Sequence, residues 1–445
     1  LALRDADAKR FLLPGTLSLL IGLTTMGPAY LSSVIESVAS SQSAGSSQSA
    51  GTGENGERDR FLVELGPDDS IGEVLPVLTE FGATAERAFP RMTLAEDEDL
   101  AQYYIVRGSS RLEELRSLLD SDVENVDATE WDIEVSVVPT MPAEPVKTEA
   151  AGRLANDPQA PEQWGLTVTR ADQLHENLRS RTPERKGIVA IVDTGVDDKH
   201  EDIRGSFDKS PGTGDRNGHG THCAGIAGGA TNNGIGIASF NWDSKFVSIR
   251  SYKALDDNGG GSAETVAQAI IDAARDGADV ISLSLGSFSP DAPRVEVQAI
   301  EYALNQGTIV VAASGNANSD ARQHSPANIE GVIAVSAVDQ NNRKAAFSNT
   351  NTSLKRPIAA PGVGILSLKP GDGYVSLNGT SMATPFVAGL LGVLRALDPD
   401  LSAEDAYEIL KRTGLEGPDS GSVGRTIDAA AAVAEISQQS LVIRY

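Results

Sequence analysis

Three short polar sequences interrupt otherwise apolar stretches of this chain, and each carries a side chain suited to proton transfer or nucleophilic attack. IVDTGVD ends a wholly apolar run on Asp193, and a carboxylate in such a position must be paired with something. NGHGTHCAGIAGG sets His219 between Gly218 and Gly220 at the start of a helical run, where the flanking glycines let other backbone come close. NGTSMATPFVAGLLGVL places Ser381 at the opening of a helix that carries Pro385 in its first turns. A serine at a helix N-terminus has unpaired N–H groups and the positive dipole end beside its hydroxyl, which suits a developing oxyanion. Serine becomes a competent nucleophile when a neutral imidazole takes its proton, and the imidazole needs a carboxylate to fix its tautomer and stabilise its charged form. Singly, each residue has a bland reading: a cap or ion pair for Asp193, a structural histidine for His219, a loop sequence for GTS. Together they match the three roles of acyl transfer.

The elements that must hold these residues together follow from the apolar pattern. From about Asp157 onward, strands alternate with helical stretches: GIVAIVDTG (187–195), KFVSIRSYK (245–253), DVISLSLG (279–286), TIVVAASGN (308–316) and VIAVSAVD (332–339), separated by stretches such as AETVAQAIIDAARDG (263–277) and VEVQAIEYALNQG (295–307). Continuous apolar strands with intervening helices predict a buried, mostly parallel sheet covered on both faces, an α/β sandwich. Ligands of such sheets gather beyond the carboxyl ends of the strands, which is where the polar sequences fall.

DTG, GHGTHCAG and GTSMATP, in the order Asp, His, Ser, closely resemble the subtilisin-like (S8) serine peptidases, and the resemblance covers about Asp157 to Ala434. It implies a subtilisin-like three-layer α/β sandwich and a serine endopeptidase with Asp193, His219 and Ser381 as its catalytic triad. It also implies Asn316 in AASGN as a side-chain oxyanion donor acting with the Ser381 N–H, although SGN is good turn chemistry too. Ser284, Leu285 and Gly286 would form one backbone edge of the substrate groove and Gly259, Gly260 and Gly261 the other, glycine leaving room for an extended peptide to add as a strand. Ala312, Ala313, Ser314 and Gly315 would wall the pocket for the residue before the scissile bond. His324 and Pro326 would lie near its base, where the chain departs from the family's commoner aromatic pattern. In this family the loop after the histidine helix wraps a structural calcium ion. The matching ligands are the Asn233 side chain, the carbonyls of Thr231, Ile235 and Ile237, the Asp202 carboxylate, and Asp157 as a second carboxylate from the mature N-terminus. Without the resemblance, Asn233 would read as a turn residue and Asp202 as a surface charge.

Before Asp157 the chain divides by composition. Lys9 and Arg10 precede an uncharged stretch from Phe11 to about Ile35, which reads as an export signal or, by its length, a membrane anchor (1–36). SVASSQSAGSSQSAGTGENG reads as a Ser/Gly-rich linker (37–59). Residues 60–140 switch between strand and helix periods in the order β-α-β-β-α-β, a split ferredoxin-like pattern. Its clear elements are FLVEL (61–65), the helical run from Ile71, YYIVRG (103–108), SRLEELRSLLDSD (110–122) and WDIEVSVVP (131–139), with Arg87–Thr93 as a weaker strand. In position and size this unit is similar to the family's inhibitory propeptide. The resemblance therefore implies an intramolecular inhibitor and folding aid, a self-cleavage site in the Pro-, Ala- and Glu-rich connector 141–156, and a peptidase domain at 157–445.

The product would be secreted or periplasmic and act on polypeptides, touching a membrane only through an uncleaved anchor. Specificity is expected to be broad, since no acidic run for dibasic substrates borders the groove sequences. With 37 basic and 62 acidic residues the net charge is −25, which argues against nucleic acid as a partner. Abundant Asp, and Arg in excess of Lys, suit a saline habitat as well as an ordinary acidic surface. Cys223 is the single cysteine, so no intramolecular disulfide forms, and at four residues after His219 it shares a face with it if both lie on one helix.

Overall fold

The structure, a computed structural model, describes residues 59–138, 140–144, 155–208 and 214–442. The expected export segment, nearly all of the linker and most of the connector lie outside the described residues. The framework is a six-stranded sheet in the order Pro357–Pro361, Ile333–Val338, Ile309–Ala313, Val280–Leu283, Gly187–Asp193, Val247–Lys253, with every neighbouring pair parallel. Successive residues of one strand serve opposite faces. Val189 and Ile191 pack into the core that holds the helices His219–Gly228 and Thr380–Leu397, while Ala190 and Val192 pack into the core of Ala263–Arg275 and Arg294–Asn305. Burial on both sides is why these strands read as unbroken apolar runs. The result is the expected three-layer α/β sandwich. Thr380–Leu397 is long and apolar enough to cross a membrane, but it is buried as the central core helix.

Two features of this sheet differ from the sequence reading. DVISLSLG is two strands: Val280–Leu283 stays in the sheet, and Leu285–Phe288 peels away to pair antiparallel with Glu134–Val137. Pro357–Pro361 was not expected as a strand at all. Proline at both ends suits only an edge, and an edge is where it lies.

The N-terminal unit is a four-stranded antiparallel sheet in the order Thr84–Arg87, Tyr103–Arg107, Arg60–Leu65, Val126–Trp131, with the helices Ile71–Glu80 and Leu112–Asp122. This is the ferredoxin-like arrangement. Ser70 and Glu73 close a capping box on the first helix. The weaker strand is Thr84–Arg87 rather than Arg87–Thr93, because Ala88, Phe89 and Met92 leave the sheet and join the core beneath Ala263–Arg275 and Arg294–Asn305. The closing strand is Val126–Trp131 rather than 131–139, because the chain turns out of the sheet to serve the larger unit. Asp132 pairs with Arg60 at 2.7 Å and accepts the Glu264 N–H at 3.0 Å. Glu130 accepts the N–H groups of Arg294 and Val295, each at 2.8 Å. Two carboxylates of the small unit thus cap the N-termini of two helices of the large one. Glu64, also buried, takes Arg294 at 2.5 Å, Gln298 at 3.0 Å and the Tyr103 hydroxyl at 3.0 Å.

Candidate active site

Asp193 ends the strand Gly187–Asp193 and His219 begins the helix His219–Gly228. The two meet because Gly220 has no side chain: a Cβ there would lie 2.1 Å from the Gly195 carbonyl oxygen and 3.1 Å from Asp193 Cβ. His219 Nδ1 lies 2.8 and 2.9 Å from the two Asp193 oxygens, and both side chains are buried. Burial is the largest influence and opposes protonation of the imidazole, but the charge and hydrogen bond of Asp193, together with Cys223 beside it, hold the His219 pKa well above the ordinary 6.5. Asp215, which sequence reasoning passed over, organises the turn into this helix. It accepts the N–H groups of Asn217, Gly218 and Thr221 and the hydroxyls of Thr194 and Thr221, all between 2.7 and 3.1 Å. A carboxylate four residues before a histidine at a helix start is capping chemistry, the signal that was available.

Ser381 is the second residue of its helix and fully buried. Its Oγ donates to the carbonyls of Ser284 at 3.1 Å and Val138 at 3.3 Å, while His219 Nε2 has no hydrogen-bond partner. Asn316 Oδ1 accepts the Thr380 N–H and hydroxyl, both at 2.9 Å, which turns the amide nitrogen away from Thr380. A Cβ on Gly379 would come within 3.3 Å of Asn316 Nδ2, so the amide lies against the helix N-terminus. Cys223 Sγ is 3.9 Å from His219 Nδ1 and donates to the Ser381 carbonyl at 3.5 Å; burial pushes its thiol pKa up.

Glu134–Val137 lies as a middle strand between Gly260–Ser262 and Leu285–Phe288, antiparallel to both. Ser136 stands opposite Gly260 on one side and Gly286 on the other, and Val135 stands opposite Gly261. The Val137 N–H donates to Gly259 O at 2.9 Å and the Val138 N–H to Ser284 O at 3.5 Å. Beyond the serine, Met141–Pro142 pairs with Leu377–Asn378. The chain therefore crosses the site on both sides of Ser381. Both expected groove edges touch this strand. Ala312 and Ala313 end the strand Ile309–Ala313, Ser314 Oγ meets Ser336 Oγ at 3.1 Å, and the Gly315 N–H donates to Thr380 Oγ1 at 3.2 Å, which ties the expected pocket wall to the serine helix.

The loop Thr231–Ala238 folds over Asp202, which is buried. Asp202 accepts the Ile237 N–H at 2.7 Å and Asn233 Nδ2 at 2.8 Å and forms no ion pair among the described residues. Burial, with Asp157 and Glu201 adding negative charge, pushes its carboxyl up to about 7. A buried carboxylate with no countercharge, beside an amide and loop carbonyls, is a donor set that fits a hard cation. Asn233 Oδ1 accepts the Ile235 N–H at 2.8 Å and Thr231 O accepts the Asp243 N–H, which leaves each oxygen a lone pair. Asp157 spends both oxygens on the N–H groups of Asn232, Asn233 and Gly234, at 2.8 to 3.2 Å, and so caps the loop.

The sequence profile of the subtilase family matches residues 184–430. Thermitase of Thermoactinomyces vulgaris is 45% identical over 215 residues, 46% of this chain and 74% of thermitase. Subtilisin Savinase of Lederbergia lenta is 40% identical over 256 residues, 56% of this chain and 90% of Savinase. Fervidolysin from Fervidobacterium pennivorans, described as a keratinolytic enzyme related to subtilisin, superposes with a TM-score of 0.69 at 23% identity, over 84% of this chain and 61% of fervidolysin. A coverage of 84% is more than residues 157–445 alone supply, so the likeness in fold reaches into the N-terminal unit.

Proposed function

The chain belongs to the subtilase family and is a serine endopeptidase, and on that premise we propose that it is a self-processing zymogen, exported from the cytoplasm, whose catalytic triad is Asp193, His219 and Ser381. The observation that carries this reading is the strand Glu134–Val137 in the groove, with the Val138 carbonyl at Ser381 Oγ. An extended peptide bound by main-chain pairing on both sides is how a protease holds substrate irrespective of most side chains, which supports broad specificity toward polypeptides.

In catalysis, rotation of Ser381 about χ1 would bring Oγ from its carbonyl partners to His219 Nε2, the nitrogen left without a partner here. Nε2 takes the hydroxyl proton as Oγ attacks the substrate carbonyl carbon, and Asp193 holds Nδ1–H and stabilises the imidazolium. The carbonyl oxygen gains charge beside the Ser381 N–H and the Asn316 amide. His219 then gives the proton to the leaving nitrogen, the C–N bond breaks, and water repeats the sequence on the acyl-enzyme. The N-terminal unit acts as an inhibitory propeptide, and the first cut falls between Val138 and Asp157. Calcium held by Asp202, Asn233 and the carbonyls of Thr231, Ile235 and Ile237 would stiffen the loop after the histidine helix, with Asp157 shaping that loop or adding a ligand. Export, to the periplasm or medium, rests on the sequence of residues 1–36 alone.

Expression of Ser381→Ala in a host free of other proteases tests the reading. The variant should stay full length, hydrolyse no peptide and take no label from a serine-directed phosphonylating reagent. The parent chain should process itself and be labelled at Ser381. A variant that is still processed would refute self-cleavage.

A further inference from the structure

The crevice in which Val138 sits beside Ser381 is bounded by two pieces of chain that leave the central sheet side by side. Leu283 and Ala312 are register partners in neighbouring parallel strands, and Ser284–Gly286 and Ala313–Gly315 run on beyond them. The short strand His324–Ser325 touches both. A Cβ on Gly286 would lie 2.6 Å from Ser325 O, and one on Gly315 would lie 3.1 Å from His324 Nδ1 and 3.2 Å from its Cδ2. On its other side His324 pairs in register with Phe288, and the two rings meet edge to face with centroids 6.0 Å apart. The imidazole is therefore held against the Gly315 wall. Val138 enters this crevice: its N–H reaches Ser284 O, its carbonyl lies at Ser381 Oγ, and it is buried.

Resting on the peptidase reading above, we propose that this crevice receives the residue before the cut bond and that His324 forms its floor and shortens it, so that the enzyme cuts after small aliphatic residues such as valine and alanine and rejects phenylalanine and tyrosine. A ring packed there occupies the depth that an aromatic side chain needs, and a close-packed wall does not yield that volume cheaply. Two independent observations agree. The His324 ring packs against Gly315, and the residue that the chain itself seats in the crevice beside Ser381, although the proline after it disfavours cleavage there, is a valine. Burial also holds His324 below the ordinary imidazole range, so the floor is uncharged at neutral pH and does not draw in acidic side chains.

The test uses the self-processed enzyme and matched peptides that differ only in the residue before the cut bond: Ala, Val, Leu, Phe or Tyr. The readout is kcat/KM for Phe divided by that for Val, a ratio that does not depend on how much of a preparation is folded. The parent enzyme should favour Val at least about tenfold, and His324→Gly and His324→Ser should each raise the Phe/Val ratio at least about tenfold, the scale on which pocket size discriminates. A parent enzyme that cuts after Phe as readily as after Val, or a ratio that both variants leave unchanged, overturns the proposal. Failure of the peptidase reading has a different signature, no peptide cut and no labelling of Ser381, and would remove this inference with it.

Discussion

Neutralising Glu264 should make the precursor more stable at alkaline pH and leave it unchanged in acid. Glu264 lies at the start of the helix Ala263–Arg275, where the small unit covers it; its backbone N–H is capped by Asp132, and the charges that face it are Asp132, Arg60 and Arg107. Burial first, and Asp132 second, push its carboxyl from 4.5 to about 7, with the two arginines opposing. A carboxyl with a raised folded-state pKa contributes stability that is fully present below about 4.5 and is lost as pH rises through about 7. The loss is about 3 kcal/mol across that window, at 1.36 kcal/mol per pH unit for one proton. For a folded unit of this size that corresponds to a fall in Tm of roughly 3 to 6 °C. The assay is thermal unfolding of the Ser381→Ala precursor, which does not digest itself, from pH 4.5 to 8.5, with and without Glu264→Gln. The two curves should nearly coincide at pH 4.5, part from about pH 5 and reach their full separation above about pH 7, with the glutamine variant melting higher. Curves that run parallel across the whole range would show that Glu264 titrates as an ordinary surface carboxyl and that the interface does not bury it.

Since the Asp193 carboxylate holds the His219 pKa high and only the neutral imidazole accepts a proton, the acid limb of kcat/KM should lie above 6.5. Asp193→Asn should move it to lower pH while lowering kcat by about 10⁴, and an unmoved limb would count against the pair. Calcium removal should lower the Tm of the mature enzyme and speed its self-digestion, the stabilisation being about 2.7 kcal/mol when free calcium is a hundredfold above its dissociation constant. Asp202→Ala should abolish the calcium response, and a melting temperature indifferent to chelator in the parent would reject the site. Residue 139 is proline, so the bond after Val138 has a tertiary nitrogen and a restricted residue before it. Pro139→Ala should therefore speed the first cut and direct it to the bond after Val138, as read by N-terminal sequencing; an unchanged rate and site would refute the register.

The sequence by itself determined five of the sheet's six strands, its two helical layers and the candidate residues of the site, because each of these is a local property. Gly187–Asp193 reads as a buried strand from its own seven residues, and His219 and Ser381 announce themselves by the glycines and helix starts around them. Only the tertiary structure decided where partners were distant in the chain. WDIEVSVVP looks like one strand, yet Glu130 and Asp132 serve helices that begin at Ala263 and Arg294, and Glu134–Val137 pairs with strands more than a hundred residues away. The division of DVISLSLG has the same origin, since Leu285–Phe288 leaves the sheet to meet that strand. Asp215 was passed over because a capping carboxylate exists only once Thr194 is folded against it, and the resemblance placed His324 near the pocket's base without showing that its ring packs between Gly315 and Phe288. Period and propensity describe what a segment offers on each face; which face is taken depends on shape and charge elsewhere in the chain.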